Sequence, residues 1–82
     1  MVAQAKYIVW DDEFPQAVIF SETINHSDMA RALRMGNILG AGFCNTDSDR
    51  YICYGKSVSL NKQSRGPDDE KVLNKWFSGF AE

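Results

Sequence analysis

The stretch KYIVWDDEFPQAVIF, residues 6–20, contains two runs of β-branched and aromatic residues separated by an acidic segment. Such runs favour β-strands, and a separation of about five residues is typical of a hairpin loop. Pro15 falls where the second strand would begin, a position that tolerates a residue without an N–H group. Both runs are apolar at nearly every position, so either both faces of the sheet are covered or one face meets another chain.

A short helix is predicted in residues 21–37, directly after this hairpin. Asn25 or Ser27 can cap its start, and Gly36 can supply the left-handed conformation that commonly ends a helix. A narrow stripe of alanine, leucine and methionine runs along the segment, so we expect the helix to pack by one face.

A second helix is predicted in residues 66–80 and is the clearest element of the chain. Pro67 suits the first helical position, the acidic residues 68–70 suit the first turn, and Gly79 would end or weaken the helix. Apolar residues recur with helical spacing on one face: Val72, Leu73, Trp76, Phe77 and Phe80. We expect this face to pack against the sheet.

Two or three further strands are predicted in residues 37–61. The polar cluster NTDSD supplies a turn, and a turn centred between Ser48 and Asp49 places Cys44 opposite Cys53. Three glycines interrupt these strands and indicate bulges, bends or close backbone approaches.

Together the elements follow the order ββαββ(β)α, which is typical of a small α+β protein. We expect a small antiparallel sheet of four to five strands with two helices on one face. The 82 residues, 1–82, allow a single domain with one modest core. A core of that size, together with the apolar strands, favours a homo-oligomer, most simply a dimer with two-fold symmetry.

Composition indicates a cytoplasmic protein without a metal or other cofactor. No run approaches the roughly 18 apolar residues of a membrane span, and the N-terminus lacks the features of a signal peptide. Cys44 and Cys53, with the single histidine, cannot assemble an ordinary four-ligand zinc site. In a reduced compartment we expect these cysteines to be buried thiols.

The segment GKSVSLNKQSRG, residues 55–66, is basic and rich in hydroxyl groups in a chain whose net charge is −2. Strand alternation would bury Val58 and Leu60 and leave the polar side chains in solvent. Such a row of donors suits phosphate or another small anion, whereas the overall acidity argues against long nucleic acid. The predicted ligand-binding residues are Lys56, Ser57, Ser59, Asn61, Lys62 and Arg65. The alternative is a charged sheet edge that prevents aggregation.

His26 is a further candidate site residue. With Ser27 beside it, His26 could act as the base of a hydrolase, but neighbours at a helix start generally point in different directions and no orienting group is evident. A histidine that bonds a nearby backbone group explains the residue better, and contact with a ligand stays open. The sequence therefore favours a binding protein over an enzyme.

Three segments, INHSDMARAL, AGFC and CYGKSVSLNKQSRGPDDEKVL, resemble stretches of small uncharacterised proteins carried by bacteriophages and other mobile elements. They cover about half of the chain, and none is a catalytic signature. The resemblance implies a cytoplasmic accessory protein that acts against host defences, either by binding a host protein or by sequestering a small signalling nucleotide. It implies no site residues.

The functional expectation is therefore a protein that binds a small nucleotide-like anion on the basic segment without catalysis. A second possibility is a protein that inhibits a host factor through an apolar surface, and a third, weaker one is a hydrolase using His26.

Overall fold

The structure, a computed structural model, describes residues 4–47 and 50–77. Within these residues the elements are β1 (Ala5–Asp12), β2 (Phe14–Phe20), α1 (His26–Ala32), β3 (Asn37–Asp47), β4 (Arg50–Tyr54), β5 (Lys56–Ser57), β6 (Lys62–Gln63) and α2 (Pro67–Phe77). The four longer strands form an antiparallel sheet in the order β2-β1-β3-β4, and β5 and β6 form a separate two-stranded ribbon. The predicted α+β class is confirmed. The predicted order is confirmed in outline, with β5 and β6 in place of the optional last strand.

β1 lies inside the sheet, and its position explains its apolar sequence. Tyr7, Ile8 and Val9 are all fully buried. Because successive strand residues point to opposite faces, the burial of three in a row requires that both faces of the sheet are covered. Both are covered by this chain itself, which is the first of the two alternatives that the sequence left open.

The helices pack on opposite faces of the sheet, so the prediction of two helices on one face is wrong. Leu73 of α2 packs with Tyr7 and Val9, whereas Ala30 of α1 packs with Ile8. Each helix buries only one narrow apolar stripe, so one helix can cover only one face of the sheet. Because β1 is apolar on both faces, each face needs its own helix. The result is three layers, with the sheet between the two helices.

The hairpin between β1 and β2 turns within fewer residues than predicted. Asp12 pairs with Phe14, which leaves Glu13 at the turn with a φ of 70°. Asp11 therefore belongs to β1, and Pro15 lies in β2, an edge strand of the sheet. An edge strand tolerates proline because one side of its backbone has no partner strand.

β3 and β4 pair in the predicted register, with Cys44 opposite Cys53. Ser48 and Asp49, the predicted centre of the turn, lie outside the described residues. Both cysteines are buried free thiols on the face that α2 covers.

α1 is shorter than the segment in which it was predicted, and it ends differently. It begins after Asn25, which is the N-cap residue but makes no side-chain capping hydrogen bond. The residue with a left-handed conformation after the helix is Arg34, with a φ of 53°, and not Gly36.

α2 begins at Pro67, as predicted, and its apolar stripe is only partly buried. Leu73 is fully buried, whereas Trp76 and Phe77 are exposed. The predicted residues Gly79 and Phe80 lie outside the described part of the chain. Neither helix in the described part of the chain is long and apolar enough to cross a membrane.

The segment after Gly55 forms a tight ribbon and not the alternating strand that was predicted. Ser57 is 2% exposed and Val58 is 82% exposed, which reverses the predicted pattern. The Ser57 hydroxyl accepts a hydrogen bond from the Leu60 backbone N–H at 3.2 Å, and Asn61 has a φ of 55°. Serine and asparagine favour turns through such local bonds and conformations, and here this preference overrides the alternation.

Candidate functional site

A cleft of about 400 Å³ lies between the sheet, the start of α1 and the β5–β6 ribbon. Lys6 and Phe43 are partners across the β1–β3 pair, on the sheet face that carries α1. The other lining residues come from the start of α1 and from the ribbon. The full set is Lys6, Asn25, His26, Phe43, Lys56, Val58 and Ser59.

His26, the first residue of α1, contributes a neutral imidazole to the cleft wall. It is 3% exposed, and its Nε2 lies 2.8 Å from the carbonyl oxygen of Gly42. A carbonyl oxygen only accepts, so Nε2 carries the proton and Nδ1 of the neutral ring is left as an acceptor. Burial lowers the pKa of His26 and so favours the neutral form. Phe20 and Phe43 pack edge-on against the ring and hold its orientation.

Two lysines give this cleft a positive charge. Nζ of Lys6 donates a hydrogen bond to the carbonyl oxygen of Ile24 at 2.8 Å, which holds the ammonium group beside the start of α1. Lys56 is exposed on β5. Among the described residues neither lysine forms an ion pair, and no acidic side chain lines the cleft. The cleft is therefore suited to an anion.

Ser59 joins the ribbon to α1. Its hydroxyl oxygen accepts a hydrogen bond from the backbone N–H of Ser27 at 3.2 Å. This bond holds the turn between β5 and β6 against the start of the helix. As a result Lys56, Ser59 and His26, which the sequence indicated as separate candidates, lie around one cleft.

Three other predicted residues are distributed differently. Ser57 is buried and bonds the backbone of its own turn. Asn61 and Lys62 line a neighbouring cleft of about 210 Å³, to which Lys56 and Ser57 also contribute. The turn reverses the chain, so residues that a straight strand would have arranged in one row do not share one site.

Arg65 belongs to an internal ion pair and lines neither cleft. Its Nε donates to Oδ1 of Asp69 at 2.6 Å, and its backbone N–H donates to Oδ2 of Asp69 at 2.9 Å. The sequence had indicated Asp69 as an acid of the first helical turn, but the residue is 0% exposed. A buried carboxylate needs such partners, and Arg65, four residues earlier in the chain, supplies both an N–H of its side chain and its backbone N–H.

Tyr7 completes the surroundings of Asp69. Its hydroxyl lies 2.5 Å from Oδ2 of Asp69 and 2.7 Å from Oγ of Ser64. Because a carboxylate only accepts, Tyr7 donates to Asp69 and accepts from Ser64. Burial and then the bond with Asp69 raise the pKa of Tyr7 far above its ordinary value. In the described part of the chain no buried side-chain nitrogen or oxygen lacks a partner, so this cluster is a closed structural network.

The sequence did not identify Lys6 or Phe43 as site residues. Both belong to apolar strands and look like ordinary strand residues. The one available signal was that Lys6 is the only lysine or arginine among residues 1–30. Their proximity depends on the pairing of β1 with β3, which no local pattern indicates.

The described residues contain no group of three or more histidine, cysteine, aspartate or glutamate side chains that could hold a metal ion. Comparisons of the chain with protein-family models, with curated proteins and with solved structures found no match. The chemistry of the cleft is therefore the basis for a function.

Proposed function

We propose that the protein binds a small anionic ligand of the nucleotide type in the cleft around His26 and does so without catalysis. The observation that supports this most directly is that two lysines, Lys6 and Lys56, share the cleft with an aromatic ring, Phe43. A nucleotide has the matching features, namely a phosphate and an aromatic base. A volume of about 400 Å³ lies within the range of small-molecule sites.

Each class of lining group has a partner on such a ligand. Lysine ammonium groups bind phosphate as compact point charges. Phe43 packs with the rings of His26 and Tyr54, and the half-buried part of its ring that lines the cleft provides an apolar surface for contact with a base. Asn25 and the unprotonated Nδ1 of His26 supply hydrogen-bonding groups that can select among bases and sugars.

The state of His26 supports binding without catalysis. Its Nε2 is bonded to a backbone carbonyl, and its ring contacts are the aromatic side chains Phe20 and Phe43. A hydrolytic histidine is also oriented by a polar acceptor, but it contacts a nucleophile, and among the described residues no hydroxyl or thiol group is hydrogen-bonded to His26. The hydrolase alternative stays open to test, because it predicts that a nucleotide is consumed.

We further propose that the protein is a cytoplasmic accessory protein of a phage or another mobile element, and that it counteracts a host defence by sequestering a signalling nucleotide. The resemblance of three of its segments to such proteins supports this role. Sequestration requires tight binding and no turnover, which agrees with a cleft built from lysines, an aromatic ring and a neutral imidazole.

Thermal denaturation with a panel of nucleotides tests the proposal. The panel contains ATP, cyclic AMP and cyclic dinucleotides, with inorganic phosphate as the control for charge alone. A ligand present at about 100 times its dissociation constant adds roughly 2.7 kcal/mol to the free energy of unfolding. We expect at least one nucleotide to raise the melting temperature and to be recovered unchanged. If none does, the proposed function is wrong.

Replacement of Lys56 by alanine locates the site. We expect Lys56→Ala to weaken binding of the nucleotide found in the panel by roughly 1.5–3 kcal/mol, the range for a hydrogen bond to a charged group. Lys62→Ala is the matched control, since Lys62 lies on the same ribbon but outside this cleft. Arg65→Ala should reduce the stability of the fold and not the affinity. Equal loss of affinity in Lys56→Ala and Lys62→Ala would place the site elsewhere.

A second candidate function is the inhibition of a host protein through an apolar surface. The observation that favours it is the exposed aromatic pair Phe14 and Trp76, whose rings stack at 6.1 Å with an interplanar angle of 19°. Isothermal titration of a candidate host protein with wild type and with Phe14→Ala distinguishes this function, because affinity should then depend on Phe14 and not on Lys56.

A further inference from the structure

The two edges of the four-stranded sheet differ in how they are covered. At β4 the side chain of Asn74 accepts from the Tyr51 N–H at 2.8 Å and donates to the Tyr51 carbonyl at 3.3 Å. Oε2 of Glu70 accepts from the Cys53 N–H at 3.1 Å. α2 therefore occupies the outward backbone groups of β4 with its own side chains, and another strand cannot easily pair there.

At β2, the opposite edge of the sheet, the position of Pro15 shows which backbone groups point away from β1. Pro15 has no N–H, and its carbonyl oxygen accepts from Nε1 of Trp76 at 3.1 Å, so it faces away from β1. In an antiparallel strand the N–H and C=O of one residue point to the same side, and the side alternates along the strand. Ala17 and Ile19 therefore also direct both backbone groups outward. None of these four groups has a hydrogen-bond partner among the described residues.

β2 also lacks the features that usually protect a sheet edge. Phe14–Phe20 contains no charged residue, and its pairing with β1 shows no bulge. Pro15 blocks one end of the strand only. An unprotected edge of this kind is a template for another strand.

We infer that β2 pairs in an antiparallel manner with β2 of a second copy of this chain, about a two-fold axis at Val18. In this register Ala17 lies opposite Ile19 of the partner subunit, and Ile19 lies opposite Ala17 of the partner subunit. The four outward groups of each strand then form four hydrogen bonds across the interface. The two sheets become one continuous eight-stranded sheet.

The register centred on Val18 is favoured because it requires no hydrogen bond from the backbone nitrogen of Pro15, which carries no hydrogen. A register centred on Ala17 would place Ile19 opposite Pro15 of the partner subunit, and the Ile19 carbonyl would face a residue that has no N–H. A second copy fits this edge better than an arbitrary strand does, since a two-fold axis makes the edge complementary to itself. β2 itself carries no charged residue, so the two paired strands place no like charges opposite each other.

The dimer and the proposed function can be tested separately, because none of the residues that line the 400 Å³ cleft belongs to β2. Sedimentation equilibrium of the full chain should show twice the chain mass of 9.3 kDa at micromolar concentration. A monomer throughout the micromolar range would overturn the inference.

Replacement of Ala17 by proline tests the hydrogen bonds. Ala17→Pro removes one outward N–H from each subunit, and we expect the dissociation constant of the dimer to rise at least about tenfold. Ala17→Val is the matched control, because it changes the side chain and keeps the N–H, and its dimer should persist. Far-ultraviolet circular dichroism checks that the proline variant is folded. A folded Ala17→Pro protein that dimerises as tightly as wild type would overturn the inference.

A cysteine cross-link tests the register through the formation of a covalent bond and not through a loss of affinity. Val18→Cys places two thiols directly opposite each other at the axis, within reach of a disulfide. Oxidised glutathione should therefore convert this variant to a covalent dimer, with the two thiols oxidised and the glutathione disulfide reduced. Gln16→Cys lies on the same face but away from the axis, and it should cross-link much more slowly. Equal cross-linking of the two variants would overturn the register.

Discussion

At the scale of single residues, the core tolerates the buried carboxylate of Asp69 because each of its hydrogen-bond partners is a donor group. Tyr7 and Arg65 supply hydrogen bonds at 2.5–2.9 Å from three donor groups. Gly40 makes room for the carboxylate, since a Cβ atom there would lie 2.2 Å from Oδ2 of Asp69. The Asp69 side chain therefore contacts Tyr7 of β1 and Arg65 of the loop before α2, and it packs against Gly40 of β3.

Asp69→Asn should lower the free energy of unfolding by about 3 kcal/mol. The asparagine amide keeps the shape of the carboxylate, but its NH₂ group would face another donor. Because the amide is neutral, the positive charge of Arg65 would also lose its anionic partner. Asp68→Asn is the control, because Asp68 is an exposed acid in the same turn and should change the stability by less than about 0.5 kcal/mol. Urea denaturation of both variants measures the difference. Equal stability of the two would show that the buried network contributes nothing.

His26 should make the stability depend on pH in a known direction. Because burial lowers the pKa of His26 in the folded state, the unfolded chain binds a proton more readily. The contribution of His26 to stability is complete above the unfolded pKa of about 6.5 and is lost as the pH falls from there towards the folded pKa. Urea denaturation between pH 7.5 and 5.5 should therefore show falling stability for wild type.

His26→Gln is the control for this pH effect. His26 is the only histidine of the chain, so the variant should lose most of the dependence in this range. An unchanged slope in His26→Gln would assign the effect to other groups.

At the scale of elements, α2 packs on the sheet and also closes its β4 edge. The side chains of Glu70 and Asn74 lie four residues apart and therefore on the same side of the helix, where they reach successive outward N–H groups of β4. The apolar contact of Leu73 and these polar contacts act together, so the position of α2 depends on both. β2 has no equivalent cover among the described residues, which is the difference on which the proposed dimer rests.

Asn74→Ala should expose the β4 edge. The Tyr51 N–H and C=O lose their side-chain partner, and we expect a loss of roughly 1–3 kcal/mol in stability together with faster aggregation. Lys75→Ala, at an exposed position of the same helix, is the matched control. Light scattering during heating and urea denaturation measure the two effects. Aggregation no faster than that of Lys75→Ala would show that the edge needs no cover.

At the scale of the whole molecule, the three layers bury a small core in which the two cysteines lie side by side. Burial raises the pKa of Cys44 to about 11, and burial with the neighbouring Cys44 raises that of Cys53 to about 12. At neutral pH both are thiols, and reagents that attack thiolates reach them only when the layers separate. The reactivity of the cysteines therefore reports the opening of the fold.

Both thiols should react slowly with Ellman's reagent in native buffer at pH 8 and rapidly in concentrated urea. The rate in native buffer is expected to rise in Asp69→Asn, because that variant opens more often. A fast reaction of the native protein would mean that α2 does not cover these residues.

Several local elements could be predicted from the sequence, although the β5–β6 ribbon and the end of α1 were not among them. β-branched runs predicted β1 and β2, and Pro67 predicted the start of α2. A turn assumed at the polar cluster before Arg50 predicted the register that places Cys44 opposite Cys53. Strand propensity, turn chemistry and helix-start preferences act over a few residues, so they can be read from the chain alone.

Only the tertiary structure decided where the helices lie and what they enclose. The apolar stripes of α1 and α2 suit either face of the sheet, and the choice of opposite faces followed from a strand that is apolar on both sides. The cleft combines Lys6, His26 and Lys56, which are about 20–50 residues apart in sequence. Arg65 likewise pairs with Asp69 and does not join the expected site. A buried carboxylate without a partner costs several kcal/mol, and the Arg65 side chain can pair with it while 34% of its surface stays exposed.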